Sequence, residues 1–458
     1  MAIMNEDSKP ALLIGVTPVA GHVQPLKAIA RELIVRGYDV TFVTGSEYKD
    51  SIGEIGADFV PLSGIADITE KRLAEIVKSL ASDKPPSESE LYKKIWIDVI
   101  PDQWASIQTG LKCMIEKNPS ANIVVIHEVA FRGTLPGYLG APGIRTKGYV
   151  GIGTNPFFFS SIDAAPWILS GLSRPFDNSA EGRKRNKALN ERLHEELGTS
   201  EVQFHNILHT LGARKSDHSS LNAVYHVDSF VQMCPPSMEY PISDCPPSIR
   251  FAGSLMPSHR DTAVVYPKWW EDISLNHEKK KIVFVAQGTV ATNSDELIKP
   301  TLEAFEGNDK FIVIAALGKK GTSMKSGTTI PPNARVEDYL PYDDILQYAD
   351  AFVTNGGFGA IQHSLSHGVP MVVGGRRADK PENAMRVEWA GAGINLKTHM
   401  PSARDVYKAV LKVLEEPRFK ERALEIKAEI ASYDPINVIM ENISHVARCA
   451  DSVISANR

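Results

Sequence analysis

The chain is poor in the features that most sharply define a function class. It has four cysteines in 458 residues (Cys113, Cys234, Cys245 and Cys449), and no two form a CxxC pair. That usage argues against a zinc site and a disulfide framework, and it points to a reducing, cytoplasmic compartment. No uninterrupted apolar run is long enough to span a bilayer. The most apolar stretch, Pro156–Leu172, is broken by Asp163 and Pro166, and it reads as a pocket wall or core insertion. There is no excess of positive charge: the net charge of -5 offers no electrostatic reason for a nucleic-acid partner. No Asp-X-Asp triplet occurs, so there is no obvious motif for a metal–diphosphate site. No GxGxxG follows the first apolar strand, which speaks against a dinucleotide oxidoreductase. The opening MAIMNEDSKP is polar and acidic, unlike a secretory signal.

What is present is a long α/β pattern. A chain of 458 residues exceeds a single simple core, so two or more domains are expected. Ala11–Val16 reads as a buried strand, and TPVAGH at 17–22 as the turn after it. Pro25 falls in the first turn of a helix, where proline is tolerated. Leu26, Ile29, Ala30, Leu33 and Ile34 then recur on one helical face. Gly37 stops that helix, and Asp39–Val43 is the next strand. This opening βαβ unit implies a parallel sheet with both faces covered. His22 lies in the loop beyond the first strand, at the edge where open α/β sheets place ligands. Residues 57–118 read as mostly helical, with an exposed loop at 82–90. Ile123–Ile126 is another buried strand ending at His127-Glu128, and Gly148–Ile152 is a further short one. The charged run EGRKRNKALNERLHEEL reads as a solvated helix face.

Prolines concentrate between Met233 and Pro267, and strand–helix alternation then starts afresh. Lys281–Ala286 is a strand ending at Gln287-Gly288-Thr289, followed by a helix over 295–306 and strands at 311–317, 335–340, 351–354, 370–373 and 393–396. The expected organisation is a first domain over 1–254, a linker over 255–270 and a second doubly wound domain over 271–434. A last helix, 435–458, is a candidate to return onto the first domain. Two such domains in tandem, each with a ligand-type turn, suggest a cleft between them.

The most telling stretch is AFVTNGGFGAIQHSLSHGVPMVVGGRRAD at 351–379. It reads strand, glycine turn, helix over 359–367, stop at Gly368, strand, loop. A glycine turn feeding a helix N-terminus is a natural anion site, because free N–H groups and the positive end of the helix dipole face the ligand. On the glycines alone, an ordinary tight strand-to-helix turn is the preferred reading.

Several motifs together settle which reading to pursue. GHVQP at 21–25, VAQGT at 285–289, the 351–379 stretch and the following KPENAMRVEWAGAGINL resemble a family 1 glycosyltransferase of the two-Rossmann (GT-B) architecture. The resemblance covers essentially the whole chain. GADFVPLSG, LGAPG, MCPPSMEYP with FAGS, NGGFG with QHSLSHGVP, and ADKPENA bring it closer to a fungal subgroup that includes sophorolipid and phenol glucosyltransferases. The resemblance implies transfer of a sugar from a UDP-sugar, most simply UDP-glucose, to a hydroxyl, with inversion and with no cofactor. Its expected partners are a nucleotide sugar and a small-molecule acceptor.

The resemblance makes His22 the general base, a role that suits imidazole because its pKa lies near working pH. A carboxylate normally orients such a base. The matching position holds Glu128 where the family usually has Asp, with His127 as a competing neighbour. For the donor, Gly288, Thr289 and the turn Asn355, Gly356, Gly357, Phe358, Gly359 and Ala360 would supply N–H groups and a hydroxyl in place of a metal. The family commonly has His at Asn355, Ser or Thr at Ala360, Glu at His363 and Gln at Lys380. Gln362 is the nearby substitute for a ribose contact. Tyr339 maps to the base-stacking aromatic, the Leu340 backbone to the uracil contact, and Asp379 to the acid on the sugar hydroxyls. Tyr339 as a core aromatic, Asp379 as a helix cap and Lys380 as a solvated side chain remain open alternatives. Trp96, Phe131, Phe157 and Phe158, with Trp104, Phe159 and Trp167, are candidate acceptor walls. They suit a phenol, a flavonoid or polyketide aglycone, or a hydroxylated lipid. A catalytically silent homologue is the competing class, disfavoured by the presence of His22, Glu128 and Asp379.

Overall fold

In this computed structural model, residues 9–79, 86–167, 173–255, 266–288, 293–376 and 378–456 are described. They form two compact units. The first comprises the chain up to Met233, then Ile242–Ala252, then Asp434 onward; the second comprises Cys234–Pro241 and Gly253–Tyr433. Much of the linker expected at 255–270, part of the loop at 82–90 and the end of the apolar stretch 156–172 lie outside the described residues.

The first unit is built on β1 (Ala11–Gly15), β2 (Val40–Thr44), β3 (Asp58–Pro61), β4 (Ile123–Glu128), β5 (Gly148–Gly153), β6 (Ser229–Gln232) and β7 (Ile249–Phe251). Their order is β3-β2-β1-β4-β5-β6-β7, and every pairing is parallel. The central strands are buried throughout, as VTFVT, IVVIHE and GYVGIG require when helices cover both faces. Three strands escape an apolar-run reading. The first, β3, lies in the region expected to be mostly helical. Only Val60 of its four residues is buried, so it lacks the continuous run that marks the others. The strands β6 and β7 are four and three residues long, too short to stand out from the proline-rich sequence around them. His127 and Glu128 are the last two residues of β4.

The helix Pro435–Ala456 packs on this same sheet, against β4, β5 and β6. Ile436, Ile439, Ile443 and Val446 are its buried residues, spaced three or four apart as one helical face demands. Ser229 on β6 donates to Asn442 at 2.5 Å.

The second unit continues with β8 (Lys281–Ala286), β9 (Phe311–Ala316), β10 (Ala334–Glu337), β11 (Ala351–Thr354), β12 (Met371–Val373) and β13 (Gly393–Asn395). The order β10-β9-β8-β11-β12-β13 is again all parallel. Segment 234–241 is anchored into this unit by a buried ionic cluster. Arg386 Nε donates to Glu239 at 2.6 Å, its Nη1 donates to Glu382, and its guanidinium lies 4.4 Å from the Tyr240 ring centre. Removing one partner of such a cluster costs about 3–5 kcal/mol, because a buried charge is left uncompensated.

Both sheets share one topological property. Each reverses its strand order at its centre, between β1 and β4 in the first unit and between β8 and β11 in the second. The carboxyl ends of these strand pairs are where a doubly wound sheet opens a crevice.

Candidate active site

At the reversal point of the first sheet, β1 feeds the helix Ala20–Val35, and His22 occupies that helix's first turn. Glu128 ends the neighbouring β4, whose register sets Gly15 beside His127. His22 Nδ1 meets Glu128 Oε2 at 2.9 Å. The carboxylate is fully buried, and its other contacts are the Thr17 N–H at 3.2 Å and the Ala130 N–H at 2.7 Å. Burial alone would raise the Glu128 pKa. The His22 charge and hydrogen bond, with Thr17 and Ala130, outweigh burial and hold it below the usual carboxylate value. An ionised carboxylate only accepts, so Nδ1 of His22 carries the proton and Nε2 is the acceptor nitrogen of the neutral ring. His22 keeps 15% of its side chain exposed, against 0% for Glu128. An imidazole oriented in this way can act as a base.

His127 does not compete for this role. Its Nδ1 lies 3.1 Å from the Phe131 carbonyl and 3.2 Å from that of Glu128. Burial pushes its pKa down to about 4, despite the neighbouring Glu128 charge.

The expected acceptor aromatics divide into two groups. Trp96 stands edge-on to His22, with ring centres 6.4 Å apart, in the π-helical turn Lys93–Ile97. Phe158 and Trp167, 5.6 Å apart, join Trp96 and Tyr92 in one cluster. Phe131 and Phe157 belong instead to the core under the sheet, with Trp104 and Phe159. The reason for Phe131 is direct: a Cβ on Gly15 would lie 2.6 Å from its ring, so the missing side chain on β1 is the slot that the ring fills. Phe157 packs on Phe159 and Phe230 at 5.1 and 6.1 Å. Neither wall expectation survives for these two residues.

At the reversal point of the second sheet, Gly288 and Thr289 follow β8 and Asn355-Gly356-Gly357 follow β11. Thr289 lies outside the described residues. Gly288 adopts φ +74 with open space where a Cβ would stand, and its backbone N–H donates to the hydroxyl of the buried Tyr342. Asn355 is 6% exposed; its amide donates to the Gln287 carbonyl and its Oδ1 accepts the Gly357 N–H at 3.3 Å. Its side chain therefore laces the two strand ends together instead of facing outward. Gly357 begins the helix Phe358–Ser366, and no side chain caps it. Its first-turn N–H groups, at Phe358, Gly359 and Ala360, have no partner within the helix and are suited to an anionic ligand.

Asp379 opens the helix Lys380–Trp389, yet its side chain caps nothing. Its Oδ2 accepts from Asn383 Nδ2 at 2.9 Å, and the same amide reaches the Gly356 carbonyl at 2.8 Å. Lys380 Nζ is 3.8 Å from Asp379 Oδ1. Asn383 thus joins the acid to the glycine turn. It stands four residues after Asp379 on one helix, a spacing visible in ADKPENA. Gly375 lets the chain pass here, because a Cβ would fall 1.9 Å from the Asn355 carbonyl.

His363 is paired with Asp343 at 2.8 Å, a partner that nothing in the linear pattern signals. Gln362 is turned away: it lies on the buried face of its helix and accepts a hydrogen bond from Ser254. It is therefore no substitute for His363. Leu340 is buried at 4% exposure, while Tyr339 is 49% exposed with Lys320 Nζ 5.8 Å from its ring centre. Tyr339 is a surface aromatic, and the core alternative for it falls.

UDP-glucosyltransferase B1 of Starmerella bombicola is 38% identical over 446 residues, covering 96% of this chain and 99% of that protein. The chain belongs to the UDP-dependent glycosyltransferase family. UDP-glycosyltransferase 2 of Phaeomoniella chlamydospora, 36% identical over 96% of both chains, is another relative of this glycosyltransferase. Residues 300–444 match the family model described as Erythromycin biosynthesis protein CIII-like, C-terminal domain. Among solved structures, the glycotransferase of kitacinnamycin aligns with a TM-score of 0.69 at 19% identity, covering 96% of this chain and 99% of that one. The calicheamicin glycosyltransferase CalG4 aligns at 0.63 and 17%, covering 98% of each. These likenesses carry the fold, two Rossmann-like units of the GT-B class. Among the described residues of this glycosyltransferase, no helix is long and apolar enough to cross a membrane.

Proposed function

We propose that this glycosyltransferase moves glucose from UDP-glucose to a hydroxyl of a small lipophilic acceptor, with inversion at the anomeric carbon and His22 as general base. The observation that carries the reading is the 2.9 Å contact from His22 Nδ1 to the buried Glu128 carboxylate. It leaves Nε2 as the proton acceptor. As the acceptor oxygen attacks the anomeric carbon, its proton passes to Nε2 and the bond from that carbon to the diphosphate breaks. Glu128 stabilises the imidazolium that forms. The leaving UDP carries charge that the uncapped N–H groups at Phe358, Gly359 and Ala360 are suited to receive. In this reading Asp379 and Lys380 take the sugar hydroxyls, and the exposed Tyr339 stacks on the base beside the Leu340 backbone. His363, held by Asp343, faces the ribose. The relatives named UDP-glucosyltransferases support glucose as the transferred sugar.

The test is incubation with UDP-glucose and a panel of phenols and hydroxy fatty acids, read by mass spectrometry. Hexose addition is the expected result. No addition to any acceptor by a folded protein that binds UDP would leave the silent-homologue reading standing. His22→Ala should lower kcat by about 10²- to 10⁴-fold while UDP affinity is kept; joint loss of both would mean that His22 is structural.

A further inference from the structure

Aromatic walls do not distinguish one lipophilic alcohol from another, but a buried charge does. Arg132 lies four residues beyond Glu128 on the turn that leaves β4, and it is only 5% exposed. Its guanidinium is always protonated. Nη2 donates to the Tyr92 hydroxyl at 3.2 Å, and the guanidinium stands 5.9 Å from the centre of that ring. Its Nε and Nη1 are buried and have no hydrogen-bond partner among the described residues. None of the ion pairs among those residues includes Arg132. The Tyr92 hydroxyl meets Ser220 Oγ at 2.9 Å, and Ser220 in turn bonds Glu201. The acid on that path is therefore two hydroxyls removed from the cation.

The surroundings repeat the imbalance. Trp167 Nε1 and Thr134 Oγ1 are also buried without partners among the described residues. Trp167 shares the cluster of Tyr92, Trp96 and Phe158, so a second unpartnered donor stands on this aromatic wall. The same wall meets the base. The helical run Glu88–Ile97 touches Arg132 through Tyr92 and His22 through Trp96, four residues on. A water molecule would satisfy hydrogen bonds here but would leave the buried cation uncompensated; only an anion satisfies both.

We infer that the acceptor is a hydroxylated carboxylic acid, with Arg132 holding its carboxylate while its hydroxyl is presented to His22. This rests on the glucosyl-transfer reading above and narrows it. A phenolic acid and a hydroxy fatty acid both carry the required groups, and the wall of Trp96, Phe158 and Trp167 suits the carbon skeleton of either.

The experiment compares each of those two acids with its own methyl ester, using the full chain and UDP-glucose. At least one acid should exceed its ester in kcat/KM by about 10- to 100-fold, the worth of a charged hydrogen bond, with most of the difference in KM. Arg132→Met should erase the preference by raising KM for the acid far more than for the ester, and Arg132→Lys should restore part of it. Equal use of acid and ester by the unmodified enzyme would overturn the inference, as would an Arg132→Met variant that loses both in the same proportion. Should Arg132→Met not fold, the acid–ester ratio of the unmodified enzyme still decides. Esters glucosylated as well as acids, or transfer to neutral phenols but to neither acid, would sink this inference alone, whereas no transfer to these compounds or to any acceptor of the wider panel would sink the glucosyl-transfer reading beneath it.

Discussion

Replacing Glu128 by glutamine tests the dyad most sharply, because it exchanges one carboxylate oxygen for an NH₂ and changes nearly no volume. Glu128 Oε2 accepts from both His22 Nδ1 and the Ala130 N–H, and Oε1 accepts from the Thr17 N–H. Glutamine has one oxygen. If that oxygen keeps His22 and Ala130, the new NH₂ faces the Thr17 N–H, donor against donor. If it keeps Thr17, the NH₂ faces His22 and Ala130. Nδ1 must then give up its proton, and Nε2 becomes the N–H and loses its capacity as a base. Either arrangement also removes the negative charge that balances an imidazolium. Losing an oriented base costs about 10²- to 10⁴-fold in kcat, or about 3–5 kcal/mol in the barrier. One buried donor left without an acceptor costs about 1–3 kcal/mol of stability, which is smaller than the catalytic loss. The assay is steady-state glucosyl transfer beside UDP titration calorimetry and a thermal melt, on Glu128→Gln and on Glu128→Asp. Glu128→Asp keeps the charge one methylene short and should recover much of the rate. A folded Glu128→Gln enzyme within threefold of the unmodified rate would refute the orienting role. The linkage sign provides a second check. The folded Glu128 carboxyl lies below its usual value, so its stabilisation is present at neutral pH and is lost as pH falls through that depressed value. Glu128→Gln should remove that dependence.

Asn383→Ala frees both the Gly356 carbonyl and the Asp379 carboxylate. It should raise KM for UDP-glucose about tenfold and cost about 1–3 kcal/mol in denaturant unfolding; unchanged donor kinetics would remove Asp379 from the donor site. His127, held near 4 by burial, stays neutral in the folded state while the unfolded chain takes up a proton below about 6.5. Stability should therefore fall by about 3 kcal/mol between pH 7 and 4 on its account, and His127→Gln should flatten that slope in urea titrations. Transfer should proceed at full rate with chelator present, since the chain has no Asp-X-Asp triplet and the donor turn offers N–H groups to the diphosphate. Strict dependence on added Mg²⁺ would contradict this.

The parts of this structure legible in the sequence are those where one local rule acts alone. Ala351–Thr354 announces a buried strand, and the helix expected over 359–367 is found at Phe358–Ser366. Gly368, read as its stop, has φ +66. The GT-B fold followed from motifs scattered along the whole chain. The edge strand β3 was hidden because one buried residue in four leaves no pattern. Sorting the aromatics needed the third dimension: Phe131 and Trp96 are equally apolar as letters, but one fills the slot above Gly15 and the other meets His22. The pairing of His363 with Asp343 and the isolation of Arg132 were invisible for the same reason, since neither partner nor lack of partner is encoded in spacing.

The helix Pro435–Ala456 has a consequence for how the protein comes into being. It covers β4, β5 and β6 of the first unit but is translated after the whole of the second. During synthesis the apolar patch beneath Ile436, Ile439, Ile443 and Val446 waits uncovered while roughly two hundred further residues emerge. The second unit can mature first, and the first is sealed only when this helix arrives. An expression fragment ending after β7 would therefore carry a bare sheet face and would aggregate rather than behave as an isolated domain.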